Sequence, residues 1–174
     1  MTMRTLVYVL SFTLTLSGCA ATSVSGIFND ARNESLVKKR IDNAHPALKD
    51  ANISVNSFDG IVLITGQVPS VDLIPIATAE AEPLRNVRKV HNELQVAGET
   101  TVLSRTNDSW LTTKVKSALT ANEDTDVNRI KVVTENEVVY LMGRLTLAEA
   151  DAAVKVTRDI QGVQKIVKVF EYIN

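Results

Sequence analysis

Few residues in this chain are types that do chemistry, and those at a useful spacing lie in one stretch, "NDSWLTTKVKSAL", residues 107 to 119. Trp110 is the one tryptophan, and Lys114 stands four residues on, so a helix would place them on adjacent turns of one face. An indole, with an apolar body and a single N–H donor, suits the boundary between water and lipid. A neighbouring ammonium adds about 1 kcal/mol of attraction to an anionic headgroup surface. Thr113 and Ser117 offer hydroxyls to phosphate oxygens. At about 100° per residue, Leu111, Val115, Ala118 and Leu119 share one sector, the side a core would take. Trp110, Lys114 and Ser117 fall beside that sector, with Thr113 further round. Asn107 or Asp108 is placed to cap such a helix, which puts Trp110 in its first turn. Two orientations fit: the indole projects toward a bilayer, or it lies flat on its own domain or in a seam between domains.

Other chemistry is not encoded at recognisable spacings. His45 and His91 stand apart from any Cys or His at metal-ligand distance in sequence, so no metal site is expected. Glu80 and Glu82, or Glu149 and Asp151, are two apart and do not face each other on a helix. There is no glycine-rich phosphate loop and no serine in a nucleophile elbow. No catalytic residue and no cofactor is expected; the chain reads as a binding protein. A net charge of −1 lacks the basic excess of a nucleic-acid binder.

The one cysteine, Cys19, excludes an intramolecular disulfide. Arg4 precedes the apolar run "TLVYVLSFTLTL", residues 5 to 16, and small residues follow, the pattern of a secretory signal peptide. The run is shorter than the ~20 residues that span a bilayer. Leu16-Ser17-Gly18-Cys19 resembles the bacterial lipobox, which implies lipidation of Cys19 as the new N-terminus. Ala20, where an aspartate would favour inner-membrane retention, implies export to the outer membrane. Residues 20 to 33 are small and polar and read as a tether, reaching roughly 45 Å when extended.

The remainder is a duplication. "ISVNSFDGIVLITGQV" (53 to 68) aligns with "IKVVTENEVVYLMGRL" (130 to 145), and "LVKKRIDNA" (36 to 44) with "WLTTKVKSA" (110 to 118), which sets Leu36 on Trp110. Each copy reads helix, strand, strand, helix, strand. The first two strands join at Phe58-Asp59-Gly60 and at Glu135-Asn136-Glu137. Thr146 and Glu149 have the spacing of a capping box, and Gly162 closes that helix. In copy one Ser70 can cap, Pro75 fits only near a helix start, and Pro83 marks an early end. The expected fold class is α+β, two tandem αββαβ sandwiches, each a three-stranded mixed sheet on two helices. The expected segments are a signal peptide 1–18, a lipidated terminus and tether 19–33, domain one 34–97, a linker 98–106 and domain two 107–174.

This order, with a glycine after an apolar second strand ("GIVLITG", "VVYLMG"), resembles the BON domain. A lipobox ahead of two copies resembles the dual-BON outer-membrane lipoproteins. The resemblance implies a protein without catalytic activity that faces the periplasm, supports outer-membrane integrity and binds anionic phospholipid through the first helix of the second domain. It carries that role onto Trp110, with Leu111, Thr113, Lys114 and Val115 in the same segment. Glu137 stands where that family's turn glycine is expected, leaving Asn136 as the residue best able to take a left-handed conformation. The other function open to such a chain is a protein-binding adaptor on an outer-membrane assembly machine or a cell-wall enzyme.

Overall fold

Two apolar positions one helical turn apart, Val37 and Ile41, begin the first core, and the helix carrying them is longer than its apolar stripe. In the computed structural model, which describes residues 24–98 and 102–174, α1 spans Val24–Ala44. The stretch from Val24 to Asn33, expected as tether, is therefore helix. Its composition hides the reason, which is tertiary. Asp30 accepts hydrogen bonds from the backbone N–H of Asp59 (2.8 Å) and Gly60 (3.0 Å) and from the Ser57 hydroxyl (2.6 Å), while the Asn33 amide donates to the Asn86 carbonyl (3.2 Å). Cys19 and the signal peptide lie outside the described residues.

Domain one continues with a single turn α2 (Pro46–Lys49), strands β1 (Asn52–Phe58) and β2 (Ile61–Val68), helix α3 (Leu73–Ala81) and strand β3 (Lys89–Val96). The short α2 was not expected; the His45 ring nitrogen Nδ1 caps it by accepting from Ala47 N–H (3.1 Å). Pro75 sits in the first turn of α3 and Pro83 lies just beyond its end. Domain two repeats the order as α4 (Val102–Ala121), β4 (Ile130–Glu135), β5 (Val138–Leu145), α5 (Leu147–Arg158) and β6 (Lys165–Tyr172), with a 3-10 turn at Val127–Arg129 ahead of β4. In each sheet the first two strands are antiparallel and the last two parallel, so the middle strand is β2 or β5. Thr146 and Glu149 form the expected capping box: Thr146 Oγ1 accepts from Glu149 N–H and the Glu149 carboxylate accepts from Thr146 N–H. Those bonds, the backbone one first, hold the Glu149 carboxyl below its usual range.

The glycine after each second strand is a matter of clearance. A Cβ on Gly66 would lie 1.9 Å from the Asn52 carbonyl oxygen, and one on Gly143 2.4 Å from that of Arg129. The hairpin turns take positive φ at both central residues, as two-residue turns of this kind require. These are Asp59 (50°) and Gly60 (76°) in domain one, Asn136 (49°) and Glu137 (63°) in domain two. Glu137, not Asn136 alone, therefore adopts the left-handed conformation. The linker reading also changes, because α4 begins at Val102 and runs through Asn107 and Asp108. Neither residue caps. Asp108, 6% exposed, instead accepts from Asn136 N–H (2.8 Å) and Glu137 N–H (2.9 Å) and so holds the turn.

Each sheet has one face on its own helices. Val62 and Ile64 of β2 pack with Val37, Ile41 and Ala77; Val139 and Leu141 of β5 pack with Leu111, Val115 and Phe170. The opposite faces pack on each other through Ile61, Leu63, Tyr140, Met142 and Val169, which explains why β2 is buried along both faces. Polar contacts fix the alignment. Lys131, near the start of β4, donates to the carbonyl of Ser57 near the end of β1 (3.1 Å) and pairs with Glu34 (2.6 Å). Glu135, at the end of β4, accepts from Gln67 (2.9 Å), whose β1 neighbour is Asn52 at that strand's start. Strands facing across the seam thus run in opposite senses, and the two hairpin turns lie at opposite ends of an α/β/β/α stack.

Candidate membrane-contact site

The core face of α4 determines what its other flank presents. Leu111 (1% exposed) and Val115 (0%) are core residues of domain two, so neither offers a surface to lipid, contrary to the role carried onto them by resemblance. The helical period that brings them inward turns Trp110 outward, 59% exposed. The seam between domains lies on the far face of the sheet from α4, so Trp110 takes no part in it. The flank toward β4 is bound by Thr112, whose hydroxyl donates to that of Thr134 (2.8 Å). The free flank carries Trp110, Thr113, Lys114 and Ser117.

Lys114 holds the indole in place. Its Nζ lies 4.1 Å from the ring centroid, within cation–π range, and donates to the Gln161 carbonyl oxygen (3.1 Å) in the loop between α5 and β6. Gly162 shapes that loop through its backbone: it takes φ 105°, a conformation that residues with a side chain rarely adopt. Thr113 spends its hydroxyl proton on the Ser109 carbonyl (3.0 Å), leaving an acceptor outward; Ser117 is exposed. Gln161 was missed by the sequence reading. Its contribution is a backbone carbonyl, which no residue type encodes; the adjacent Gly162 was the one visible sign.

The histidines play other parts. His45 caps α2, and His91 on β3 is held below its usual pKa by burial and by Lys89. Among the described residues no cluster of three or more His, Cys, Asp and Glu side chains could hold a metal, and no helix is long and apolar enough to cross a membrane.

Comparison with known proteins bears on the family and the fold. The BON domain family profile matches residues 29–98 and again 107–174. Outer membrane lipoprotein DolP of Haemophilus influenzae is 33% identical over 190 aligned residues, covering 99% of this chain and 97% of DolP. The 21 kDa hemolysin of Actinobacillus pleuropneumoniae is 38% identical over 72% of this chain and 64% of its own length. Osmotically-inducible protein Y of Escherichia coli is 28% identical, over 70% and 62% respectively. Two matched domains, each with the helix and strand order read from the duplication, and likeness along nearly the whole of a lipoprotein lead to one assignment: the chain belongs to the BON-domain family and is an outer-membrane lipoprotein.

Proposed function

We propose that this protein binds anionic phospholipid at the periplasmic side of the outer membrane through the free flank of α4, and that this non-catalytic contact supports envelope integrity. Lipidation of Cys19 supplies the anchor, each buried CH₂ adding about 0.8 kcal/mol. The observation that carries the reading is Trp110: a large apolar side chain held more than half exposed, with its orientation set by Lys114 rather than by a core. One indole is too weak to localise a soluble protein, but an anchored one is at high effective concentration. Because α1 starts beside the Asp59–Gly60 turn and the Trp110 flank adjoins the loop at the opposite end, both contacts engage only when the sandwich lies along the bilayer rather than on end.

The chain's single tryptophan makes the test direct. Its emission should shift to the blue on adding vesicles containing phosphatidylglycerol, and Trp110→Ala should weaken binding about tenfold while circular dichroism stays that of the folded protein. A Trp110→Ala protein that binds as well as the parent would end the lipid reading and favour the adaptor on an assembly machine or cell-wall enzyme. For the anchor, mass spectrometry of membrane fractions should find acyl mass on the parent and none on Cys19→Ser.

A further inference from the structure

Lys114 is already committed: its ammonium stacks on Trp110 and donates to a carbonyl. Among the described residues from 107 onward, five further cations of domain two have no carboxylate partner. Lys116 and Lys155 stand on exposed helix faces, and the other three gather on the other side of the same loop. α5 ends at Arg158 and β6 begins at Lys165, so these two cations flank the loop whose Gln161 receives Lys114, and Lys168 follows on β6. Between α5 and β6 runs an open cleft of about 280 Å³, lined by Val154, Arg158, Val163, Lys165, Ile166 and Lys168. Its floor is apolar, since Val154, Val163 and Ile166 belong to the domain core or pack against it. Its rim is cationic. All three cations are exposed, and among the described residues no carboxylate pairs with any of them.

We propose that this cleft receives the phosphate headgroup of an anionic glycerophospholipid, with Arg158, Lys165 and Lys168 as its cationic contacts. The proposal rests on the lipid reading of Trp110 and divides the work. Trp110 supplies depth at the interface, a contribution indifferent to headgroup charge. The cleft supplies the preference for anionic lipid, through charges that salt screens. The occupant is lipid rather than an acidic peptide for two reasons. The cations rim an apolar floor instead of forming an open stripe, so a ligand with both phosphate and hydrocarbon complements them. The exposed indole also stands at the same end of the domain, where only a bilayer could meet both.

The test uses the mature chain from residue 19 carrying Cys19→Ser, which contains every described residue and no acyl chain. Binding is measured by sedimentation with vesicles of phosphatidylcholine alone and of equal phosphatidylcholine and phosphatidylglycerol. Each of Arg158→Gln, Lys165→Gln and Lys168→Gln should lower affinity for the anionic vesicles about fivefold, and the triple variant on the order of a hundredfold. Lys114→Gln should cost less than any of the three in salt sensitivity. Trp110→Ala should weaken both vesicle types by a common factor. A folded triple variant that keeps the parent's anionic preference overturns the cleft while leaving Trp110 as a lipid contact; a parent that ignores both vesicle types removes both readings. Displacement from anionic vesicles by polyglutamate or by inorganic phosphate at equal ionic strength would assign the cleft to a soluble anion and overturn the lipid occupant. Should the triple variant not fold, the single variants read the same preference.

Discussion

The two domains share a fold and differ where it matters for function. Leu36 of α1 occupies the place of Trp110 on α4, and Arg40 that of Lys114. Leu36 is half-buried, and Arg40 is drawn across to Glu80 of α3 (3.0 Å). In domain two no carboxylate takes Lys114, so its ammonium turns to an indole and a carbonyl. A duplicated helix has thus become a closed packing surface in one copy and an open aromatic one in the other. The hairpin clamps diverge in the same way. Asp30 holds the first turn with help from Glu34, which accepts from Ser57 N–H (2.8 Å). Asp108 aligns with Glu34, not with Asp30, and holds the second turn from one helical turn nearer the core. Duplication preserved the need for a carboxylate on the helix, while the position that provides it moved.

Charge in a core should separate the domains most sharply. Val115→Asp buries an unpaired carboxylate and should unfold domain two outright. The seam residues Ile61 and Leu63 of domain one would then face water, so binding of a hydrophobic dye should rise beyond what exposure of one core explains. If hydrogen exchange instead shows domain one as protected as in the parent, the domains are energetically independent. The clamps come next. Asp108→Ala leaves two turn N–H groups without their acceptor in a buried site and should cost about 2–4 kcal/mol in urea unfolding. Asp30→Ala, at a more exposed site with Glu34 alongside, should cost about 1–2 kcal/mol. Equal losses would show that the shift of the clamp has no energetic consequence.

Alkali addresses the seam that joins the copies. Burial, with smaller contributions from Glu93 and Glu135, pushes the Tyr140 hydroxyl up to about 12 from 10.0. The folded protein therefore holds this proton more tightly than the unfolded chain does. The associated stability is fully present below pH 10 and is lost as pH rises toward 12, roughly 2 kcal/mol in all. Tyr140→Phe should flatten that slope in unfolding measured between those limits, and an unchanged slope would exclude Tyr140 as its source. Last come the turns, where one of two reversals carries the smallest effect. Gly60→Glu should cost about 2 kcal/mol, because a Cβ there would stand 2.8 Å from the Asn86 carbonyl oxygen and φ is positive. Glu137→Gly relieves the same φ strain but frees the unfolded chain and removes the acceptor for Asn107 (3.1 Å), so it should stay within about 0.5 kcal/mol. Should the two reversals cost alike, the turns are equivalent after all.

What could be read in the chain beforehand follows from the range of the forces involved. Apolar spacing, the Thr146–Glu149 cap, the prolines around α3 and the glycines after the second strands act within a few residues, so the duplication, the element order and the core faces of α1 and α4 were legible. The same periodicity already put Leu111 and Val115 inward, and burial followed it; lipid contact was carried onto them from a resemblance to a segment, which does not distinguish the faces of a helix. The extension of α1 back to Val24 leaves its large apolar residues, Ile27 and Phe28, exposed, and is held instead by Asp30, which satisfies N–H groups of a turn well downstream. The extension of α4 back to Val102 is tied to the second turn by Ser104, which donates to the Asn136 side chain (2.9 Å). The left-handed Glu137 is likewise held from outside, by Asp108 and by Gln164, whose backbone N–H meets its carbonyl (3.0 Å). Whether Trp110 would face a bilayer side or a seam depended on which sheet faces met, and both faces of β2 and β5 read as apolar. Local sequence determines a helix and its stripe; only the assembled sheets decided which flank of that helix was left open, because the free energy that closes the other surfaces comes from contacts between residues far apart in the chain.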